Sequence, residues 1–466
     1  MNKCEDMEAV EILKPDDILS NRLDKLTKHF VSRFNNKPQF FTRVPGRVNL
    51  IGDHVDYCGF SVCPMAIEQD VLLAVGKADS GLHLTNLETD KYSDYDCDSL
   101  INCGEVLTKS KEPHWYKYFI CGVVGALEEI PEDKCQGINV AIWGNIPPAS
   151  GLSSSSAVVS SAVLAMTHTF GYTMSKKNLA LLSARAERHI GTQGGAMDQA
   201  IAFLAKPGAA KLIEFNPLRT TDVKLPVNAV FVIANSLAEC NKAATSEFNT
   251  RVRECKSAAQ IIAKEKLEKW DAVKTIGDLQ KELGTSLPET LEIAKKVLLE
   301  YPTLYKRIKH VLSGEFYSIN YHTRLLLEIN FQSYYYLLAI VTVLAERVLE
   351  FKSICQSSDD DQLTRLGKLM NESHESLRDL YQCSHKSVDL LVEMALECGA
   401  LGARITGAGW GGCVVALTTK DKVESFVNDL KQRQRTFNGG VRTNCVENAI
   451  FVTEPRAGAA IYETRL

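Results

Sequence analysis

The chain has 466 residues, of which 45% are hydrophobic and 24% charged, and its formal net charge is -4. This composition is typical of a water-soluble globular protein, and the length exceeds what one hydrophobic core usually serves, so we expect two domains. The nearly balanced charge argues against a nucleic-acid-binding or acidic-membrane-binding surface, and the longest apolar runs are shorter than the roughly 20 residues of a membrane span.

The 14 cysteines show no CxxC pair and no regular spacing. The polar start of the chain lacks the apolar segment of a signal peptide. We therefore expect reduced thiols and a cytoplasmic protein.

The first elements are predicted from hydrophobic periodicity. A charged leader covers residues 1–15, and apolar residues at helical spacing from Asp17 predict an amphipathic helix that ends at 35–38. An alternating run at 39–44 predicts a strand. Further patterns predict strands at 71–75, 82–86 and 138–143 and a helix at 115–127. Trp115, at the start of that helix, could stack on a base, although a half-buried aromatic residue explains it as well.

The segment at residues 45–59, PGRVNLIGDHVDYCG, concentrates polar groups among three glycines. Its apolar residues would anchor it and leave the polar cluster in a loop. Two carboxylates, an imidazole and a guanidinium can hydrogen-bond a ring of hydroxyls, so a sugar is one possible ligand. A salt-bridged surface turn explains the pattern equally well. The polar residues concerned are Arg47, Asp53, His54 and Asp56.

A serine-rich segment, PPASGLSSSSA at residues 147–157, precedes a predicted buried helix. A glycine-hinged turn that opens a helix presents unpaired N–H groups, the positive end of the helix dipole and several hydroxyls, which together suit a polyphosphate. The alternative is a serine N-cap without a ligand. Four consecutive serines exceed what a cap needs, so this segment favours a nucleotide site.

Two acidic residues lie on either side of a glycine-rich turn at 191–195. Glu187 belongs to a predicted helix over 176–190, and Asp198 follows the turn. Because glycine permits a sharp reversal, both carboxylates could face one pocket, where one would ligate magnesium and the other accept a proton. A helix cap is the alternative for Asp198.

The second half of the chain is mostly helical in pattern. Strand patterns continue at 212–215 and 229–235, and the predicted domains are residues 1–227 and 228–466. Helical patterns follow, of which 334–351 is the clearest buried helix. Near residue 407, four glycines within six residues separate two apolar strands, which suits either close approach of a ligand or a tight hairpin.

Three of these segments, in this order, resemble the signature motifs of the GHMP small-molecule kinases: PGRVNLIGDHVDY, PPASGLSSSSA and GARITGAGWGGC. The first is similar to the galactokinase branch of the family rather than to the mevalonate kinase branch. Further segments, among them GGAMDQAIAFLA and NKAATSEFN, look most like the members that phosphorylate N-acetylgalactosamine. The resemblance implies a mixed α/β fold of two domains, with the active site in the cleft between them.

The resemblance also implies roles for individual residues. In the family the serine-rich segment wraps the triphosphate of ATP, a serine and an acidic residue hold Mg²⁺, and an aspartate with an arginine partner accepts the proton. The implied catalytic residues are Asp198 and Arg47, and the implied sugar-binding residues are Arg47, Asp53, His54, Asp56 and Asp198. The implied nucleotide-binding residues are Gly151, Ser153, Ser154, Ser155, Asn241, Lys242 and Trp115, and the implied magnesium ligands are Ser154 or Ser155 with Glu187.

The implied reaction belongs to galactose and carbohydrate metabolism. It transfers the γ-phosphoryl group of ATP to the anomeric hydroxyl of N-acetylgalactosamine, with galactose as a slower substrate, and yields the α-1-phosphate. The implied partners are the sugar and ATP, without nucleic acid or membrane, and we expect a monomer. A galactokinase proper and a non-catalytic sugar sensor are the alternatives, the sensor being disfavoured by the intact catalytic residues.

Two positions depart from the galactokinase pattern. Asp53 stands where these enzymes usually carry Glu, so a water-mediated sugar contact is an alternative for this shorter side chain. Phe248 stands where the galactose-preferring enzymes commonly carry Tyr. Loss of that hydroxyl makes the pocket more apolar and favours a sugar with an acetamido group at C2.

Overall fold

The computed structural model describes residues 8–109, 114–239, 246–299, 331–437 and 449–464. Within these residues the strands form a seven-stranded sheet, a four-stranded sheet and a two-stranded hairpin. The strands are β1 (Glu11–Leu13), β2 (Phe40–Ile51), β3 (Cys63–Ala78), β4 (Leu82–Asn86), β5 (Tyr95–Cys97), β6 (Gly137–Gly144), β7 (Ala210–Glu214), β8 (Arg219–Val223), β9 (Ala229–Asn235), β10 (Gly402–Ile405), β11 (Cys413–Thr419), β12 (Ile450–Thr453) and β13 (Ala460–Glu463).

The helices alternate with these strands, which confirms the predicted mixed α/β class. They are α1 (Asp17–Phe34), α2 (Val106–Lys109), α3 (Tyr116–Leu127), α4 (Ser154–Thr169), α5 (Lys176–Glu187), α6 (Met197–Leu204), α7 (Glu247–Lys266), α8 (Ile276–Leu283), α9 (Leu287–Leu299), α10 (Phe331–Gln356), α11 (Gln362–Glu375), α12 (Lys386–Glu397) and α13 (Val423–Phe437). Among the described residues, no helix is long and apolar enough to cross a membrane.

The seven-stranded sheet has the order β1-β13-β2-β3-β6-β4-β5. Helix α1 covers one face, where Leu23, Leu26 and Phe30 pack into a small core cluster, and a larger core that includes α3 and α4 covers the other. The last strand, β13, lies between β1 and β2, so the end of the chain completes the sheet that its beginning starts. The predicted domain boundary between residues 227 and 228 stays a prediction. Strand β13 lies in the second predicted domain by sequence but pairs with β1 and β2 of the first.

Several predicted elements are confirmed almost to the residue. Helix α1 is capped at its start by the Asp16 side chain, which accepts a hydrogen bond from the Leu19 N–H, and it ends at Asn35 in a left-handed conformation. Strand β4 has the predicted bounds. Helix α10 contains the predicted segment 334–351, but Tyr336, Val343 and Leu349 are exposed, so only one side of this predicted buried helix is buried.

Strand β2 corrects the prediction for residues 45–59. The alternating run was expected to end at residue 44 and the polar cluster to follow in a loop, whereas β2 continues to Ile51. Register shifts between Pro45 and Arg47 and between Asn49 and Ile51 accommodate the proline, because a bulge does not require the missing N–H. Arg47 therefore lies on a buried strand rather than in a loop.

The second sheet has the order β10-β11-β9-β12 and carries helices α11 and α12 on β10. Strands β10 and β11 are antiparallel neighbours with Ile405 opposite Val414. Residues 406–412 between them form the connection that the sequence presented as either a hairpin or a ligand-facing backbone. We call these seven residues the glycine loop, and residues 147–153 the serine loop.

Candidate active site

The serine loop joins β6 to α4 and takes a left-handed backbone at Ala149, Gly151 and Ser153, with φ of 51°, 77° and 64°. Ser153 is the N-cap residue of α4, yet its side chain makes no capping bond. Its Oγ is buried and has no hydrogen-bond partner among the described residues. The loop therefore offers this hydroxyl and the helix N-terminus to a ligand oxygen, which favours phosphate binding over a simple serine cap.

The glycine loop packs directly against the serine loop. A Cβ on Gly151 would lie 2.7 Å from the Thr406 carbonyl oxygen, and a Cβ on Gly407 would meet the Gly151 carbonyl oxygen. On the other side of the contact, a Cβ on Gly412 would lie 2.7 Å from the Ser150 carbonyl oxygen. Because backbones this close leave no room for side chains, the glycines are required here, and the two loops form one wall of the site.

Glu187 and Asp198 lie on either side of Ser156. Ser156 Oγ is 2.8 Å from Glu187 Oε2 and 3.2 Å from Asp198 Oδ2. Ser155 Oγ donates to Glu187 Oε1 at 3.2 Å, and the Gln199 amide also donates to Glu187. The turn at 191–195 thus brings both carboxylates to the start of α4, where the serine hydroxyls hold them in place.

Arg47 connects Asp198 to the serine loop. Its Nε and Nη2 each lie 2.8 Å from Asp198 Oδ1, and its Nη1 donates to the Gly151 carbonyl oxygen. The residue is only 1% exposed. A guanidinium this deeply buried depends on such partners, since a lone charge in the interior is strongly destabilising.

The polar residues of the 45–59 segment line an inner cavity beside Asp198. Gly52 and His54, with φ of 96° and 65°, turn the chain at the end of β2 toward this cavity. The residues that line it include Arg47, Asp53, His54, Asp56, Glu187, Asp198 and Phe248. All predicted sugar-binding residues therefore face one cavity, together with the predicted proton acceptor.

Three protein donors hold the carboxylate of Asp53 in this cavity. Asn49 Nδ2 donates to Oδ2 at 3.0 Å, and Arg404 Nη2 bonds to the same oxygen. The Gly407 N–H donates to Oδ1 at 2.6 Å. Asp53 is 1% exposed, and most of its hydrogen-bonding capacity is used within the protein.

A chain of hydrogen bonds runs behind His54. His54 Nδ1 lies 2.8 Å from the Tyr57 hydroxyl, which lies 2.6 Å from the Tyr381 hydroxyl. The Tyr381 ring centroid is 4.7 Å from the imidazole, and Phe248 and Trp410 follow at 5.8 Å and 5.6 Å. Burial raises the pKa of Tyr57 and of Tyr381, so both hydroxyls keep their protons at neutral pH. The rings and this chain fix the orientation of the imidazole.

Asp56 begins a 3₁₀ turn, Asp56–Cys58, that packs on the turn at 191–195. Its Oδ2 accepts the Gly195 N–H at 3.2 Å. A Cβ on Gly195 would clash with the Tyr57 nitrogen and the Asp56 carboxyl carbon. The segment at residues 45–59 and the turn before Asp198 are therefore held against each other without an intervening side chain.

An outer cavity of about 430 Å³ adjoins the inner one, since Thr192 and Ala408 line both. Its walls include the predicted nucleotide-binding residues Gly151, Ser153, Ser154, Ser155 and Trp115. The Trp115 indole N–H donates to the Ser93 carbonyl oxygen at 2.8 Å, which holds the ring at the cavity wall. Two further predicted residues, Asn241 and Lys242, lie outside the described residues.

Several residues of the site were not assigned a role from the sequence, among them Ser156, Gln199, Tyr381 and Arg404. Ser156 and Gln199 stand next to predicted residues in the chain, so their neighbours could have identified them. Arg404 belongs to the last of the three motifs. Tyr381 has no local signal, because only the packing of the second half of the chain against the first brings it to His54.

Comparison with family models matches three regions of the chain. Residues 28–77 match the galactokinase galactose-binding signature, residues 118–206 the GHMP kinases N terminal domain, and residues 354–435 the GHMP kinases C terminal domain. These regions contain the first motif, the serine loop and the glycine loop. The three predicted motifs thus fall in the regions that the family models match.

Curated relatives match over nearly the whole chain. The galactokinase of Dictyostelium discoideum is 34% identical, with 96% of each chain covered. The galactokinase of Saccharomyces cerevisiae is 30% identical, with 98% of this chain and 97% of the relative covered. Among solved structures, Lactococcus lactis galactokinase complexed with galactose has a TM-score of 0.72 at 24% identity, covering 94% of this chain and 99% of that one, and supports the same fold.

Proposed function

The chain belongs to the GHMP kinase family, in its galactokinase branch, and we propose that it is a sugar 1-kinase that transfers the γ-phosphoryl group of ATP to the anomeric hydroxyl of galactose. The observation that carries this proposal is the buried pair of Arg47 and Asp198. The pair lies at the junction of the serine loop and residues 45–59, which we call the sugar segment. A carboxylate beside the inner cavity is thereby tied to the loop that lines the outer one. Sugar and triphosphate would meet at this point.

In the proposed mechanism, Asp198 accepts the proton of the anomeric hydroxyl. The oxygen–hydrogen bond breaks, the same oxygen forms a bond to the γ-phosphorus, and the bond from that phosphorus to the β-phosphate oxygen breaks to release ADP. Arg47 stabilises negative charge on Asp198 and on the attacking oxygen. Because phosphoryl transfer passes through a loose transition state, positioning of the two substrates contributes much of the rate.

Magnesium fits the oxygen-rich corner formed by Ser155 and Glu187, whose side chains lie 3.2 Å apart. The described residues contain no cluster of three or more His, Cys, Asp or Glu side chains able to hold a metal. A site with one carboxylate and a hydroxyl is typical of Mg²⁺ that is bound mainly by substrate phosphates. When bound, the ion would neutralise charge on the β- and γ-phosphates, with Ser154 or Ser155 and Glu187 as its protein ligands.

The identity of the sugar substrate is argued separately from the kinase activity. The curated relatives are named galactokinases, which favours galactose over the N-acetylgalactosamine that the sequence motifs suggested. One observation keeps N-acetylgalactosamine as the second candidate. Phe248 presents an apolar ring to the inner cavity, and its ring centroid lies 5.5 Å from that of Tyr57. This ring offers no hydroxyl to a sugar and could pack against an acetamido methyl group.

The test is ADP release from Mg-ATP by the purified chain with galactose, N-acetylgalactosamine, N-acetylglucosamine or no sugar. We expect turnover with galactose, and product analysis should identify the α-1-phosphate. Faster turnover with N-acetylgalactosamine would transfer the assignment to the second candidate and leave the roles of Asp198 and Arg47 unchanged. Binding of sugar and ATP without any turnover would refute the kinase and support a sugar sensor.

A further inference from the structure

Asp53 lies where the first motif meets the last one. Its partner Arg404, on β10, is fully buried and also donates to the Asn49 and Leu50 carbonyl oxygens at 3.2 Å and 3.1 Å. Removing either charge of a buried pair leaves the other uncompensated, which costs far more than the pair gains over apolar groups. Asp53 and Arg404 therefore hold the end of β2 to β10.

The Gly407 N–H extends this contact to the phosphate side of the site. It donates to Asp53 Oδ1 at 2.6 Å, while the other side of Gly407 packs on Gly151 of the serine loop. Thr406 strengthens the same junction, because its Oγ1 lies 3.1 Å from the Asn49 nitrogen and 3.0 Å from the Asn49 carbonyl oxygen. The glycine loop is thus fixed from β2 on one side and supports the serine loop on the other.

We propose that Asp53 is a positioning residue for the nucleotide site, which clamps the glycine loop against the serine loop and couples the sugar segment to phosphate binding. The identity of the two ligands rests on the proposed function. Three protein donors already occupy the Asp53 carboxylate, and two of them come from the last motif. Asp53, a residue of the sugar segment, therefore contributes to nucleotide affinity before any sugar binds.

The test is the affinity for a non-hydrolysable ATP analogue with Mg²⁺, titrated by calorimetry in the absence of sugar. Asp53→Ala removes the acceptor of the Gly407 N–H, and we expect the Kd for the analogue to rise on the order of tenfold. Asp53→Asn keeps a neutral acceptor and should give an intermediate Kd. Asp56→Ala is the matched control, because Asp56 belongs to the same motif but bonds to Gly195, so the nucleotide Kd should stay unchanged while the sugar KM rises.

The double variant D53A/R404M tests whether a raised nucleotide Kd comes from lost stability or from the lost acceptor of the Gly407 N–H. Asp53→Ala alone leaves the Arg404 charge unpaired in the interior, whereas the double variant removes both charges and should recover most of the lost thermal stability. Its nucleotide Kd should remain raised, because the Gly407 N–H still lacks its acceptor. A change of overall stability by itself does not alter the Kd of the folded protein.

Two results separate this inference from the proposed function. An unchanged nucleotide Kd in the Asp53→Ala and double variants, with a raised sugar KM, would overturn the clamp and make Asp53 a direct sugar contact. Absence of sugar phosphorylation by the wild-type chain would refute the proposed function, and the nucleotide titration would still decide the clamp. A wild-type chain that binds no nucleotide would refute both.

Discussion

Asp198 is the single residue on which the proposed proton transfer depends. Asp198→Asn keeps the shape of the side chain and an acceptor for Arg47, but it cannot take a proton. We expect kcat to fall by roughly 10²–10⁴, the usual contribution of a positioned base, while nucleotide affinity survives. Steady-state ADP release and a nucleotide titration measure the two quantities.

The control for this variant is Asp359→Asn, which removes a carboxylate from an exposed ion pair with Arg365 and should leave kcat unchanged. If Asp198→Asn retained kcat within about tenfold of the wild type, positioning and charge would account for the rate, and Asp198 would lose its role as base.

A substitution at Tyr381 tests whether the hydrogen-bonded chain behind His54 contributes to sugar binding. Tyr381→Phe keeps the ring that packs on the imidazole but removes the hydroxyl that bonds to Tyr57. We expect the sugar KM to rise several-fold, in keeping with the loss of one buried hydrogen bond of about 1 kcal/mol, while kcat and the nucleotide Kd change little. Initial-rate kinetics at varied sugar concentration give the comparison.

Tyr336→Phe is the matched control, because this tyrosine on α10 is 54% exposed and its hydroxyl accepts a hydrogen bond from Gln332 Nε2. Equal kinetics for the two variants and the wild type would show that Tyr57 orients His54 without Tyr381.

At the scale of elements, the close contact between the serine and glycine loops predicts a large effect of one methyl group. Gly151→Ala would place a Cβ 2.7 Å from the Thr406 carbonyl oxygen at a left-handed φ of 77°. Since backbone cannot move aside cheaply, we expect the nucleotide Kd to rise at least tenfold and the free energy of unfolding to fall by more than about 1–2 kcal/mol, the cost of left-handed strain alone. Calorimetry and urea unfolding measure these changes.

Gly171→Ala supplies the matched control, because Gly171 has a similar φ of 68° and nothing lies within 4 Å of its added Cβ. It should show the strain cost alone, with unchanged nucleotide affinity. If both variants behaved alike, the strain of the left-handed backbone would explain the loss and the loop contact would not.

The elements also show which local signals are sufficient. Helix α1 carries its own apolar stripe, capping residue and stop signal, so its bounds follow from the sequence. The bounds of strand β2 do not follow from the sequence, because Pro45 and Gly46 are typical of a turn. Only pairing with β3, through two register shifts, keeps them in the sheet. Strands β1, β5, β8, β12 and β13 were not predicted, since short strands depend on their neighbours more than on their own residues. Strand β1 also corrects the expected charged leader at residues 1–15, because Glu11–Leu13 pairs with β13 in the sheet.

At the scale of the whole molecule, the buried His374 makes the free energy of unfolding depend on pH. It is 2% exposed, at the end of α11, and burial together with the positive charges of Arg404 and Arg378 lowers its pKa to about 4. Between the unfolded pKa of about 6.5 and this folded value, only the unfolded chain binds the proton. The free energy of unfolding should therefore fall as the pH drops through this window.

Urea unfolding at about pH 7 and about pH 4.5 tests this expectation, and the His374 contribution to the difference should be about 2 kcal/mol. His374→Asn should lose correspondingly less stability between the two pH values, with Asn able to accept the Ile405 N–H in place of Nδ1. The same pH dependence in both proteins would exclude His374 as its source.

The sequence by itself determined the three motifs, the mixed α/β class and the motif residues that line the two cavities, because glycine turns, serine hydroxyls and clustered charges are local features. The tertiary structure alone decided how these residues are used. It brought the glycine loop against the serine loop, placed Tyr381 behind His54 and bonded Asp53 to Arg404. Each of these contacts joins segments that are far apart in the chain, and such pairing depends on how the sheets and helices pack rather than on any local pattern.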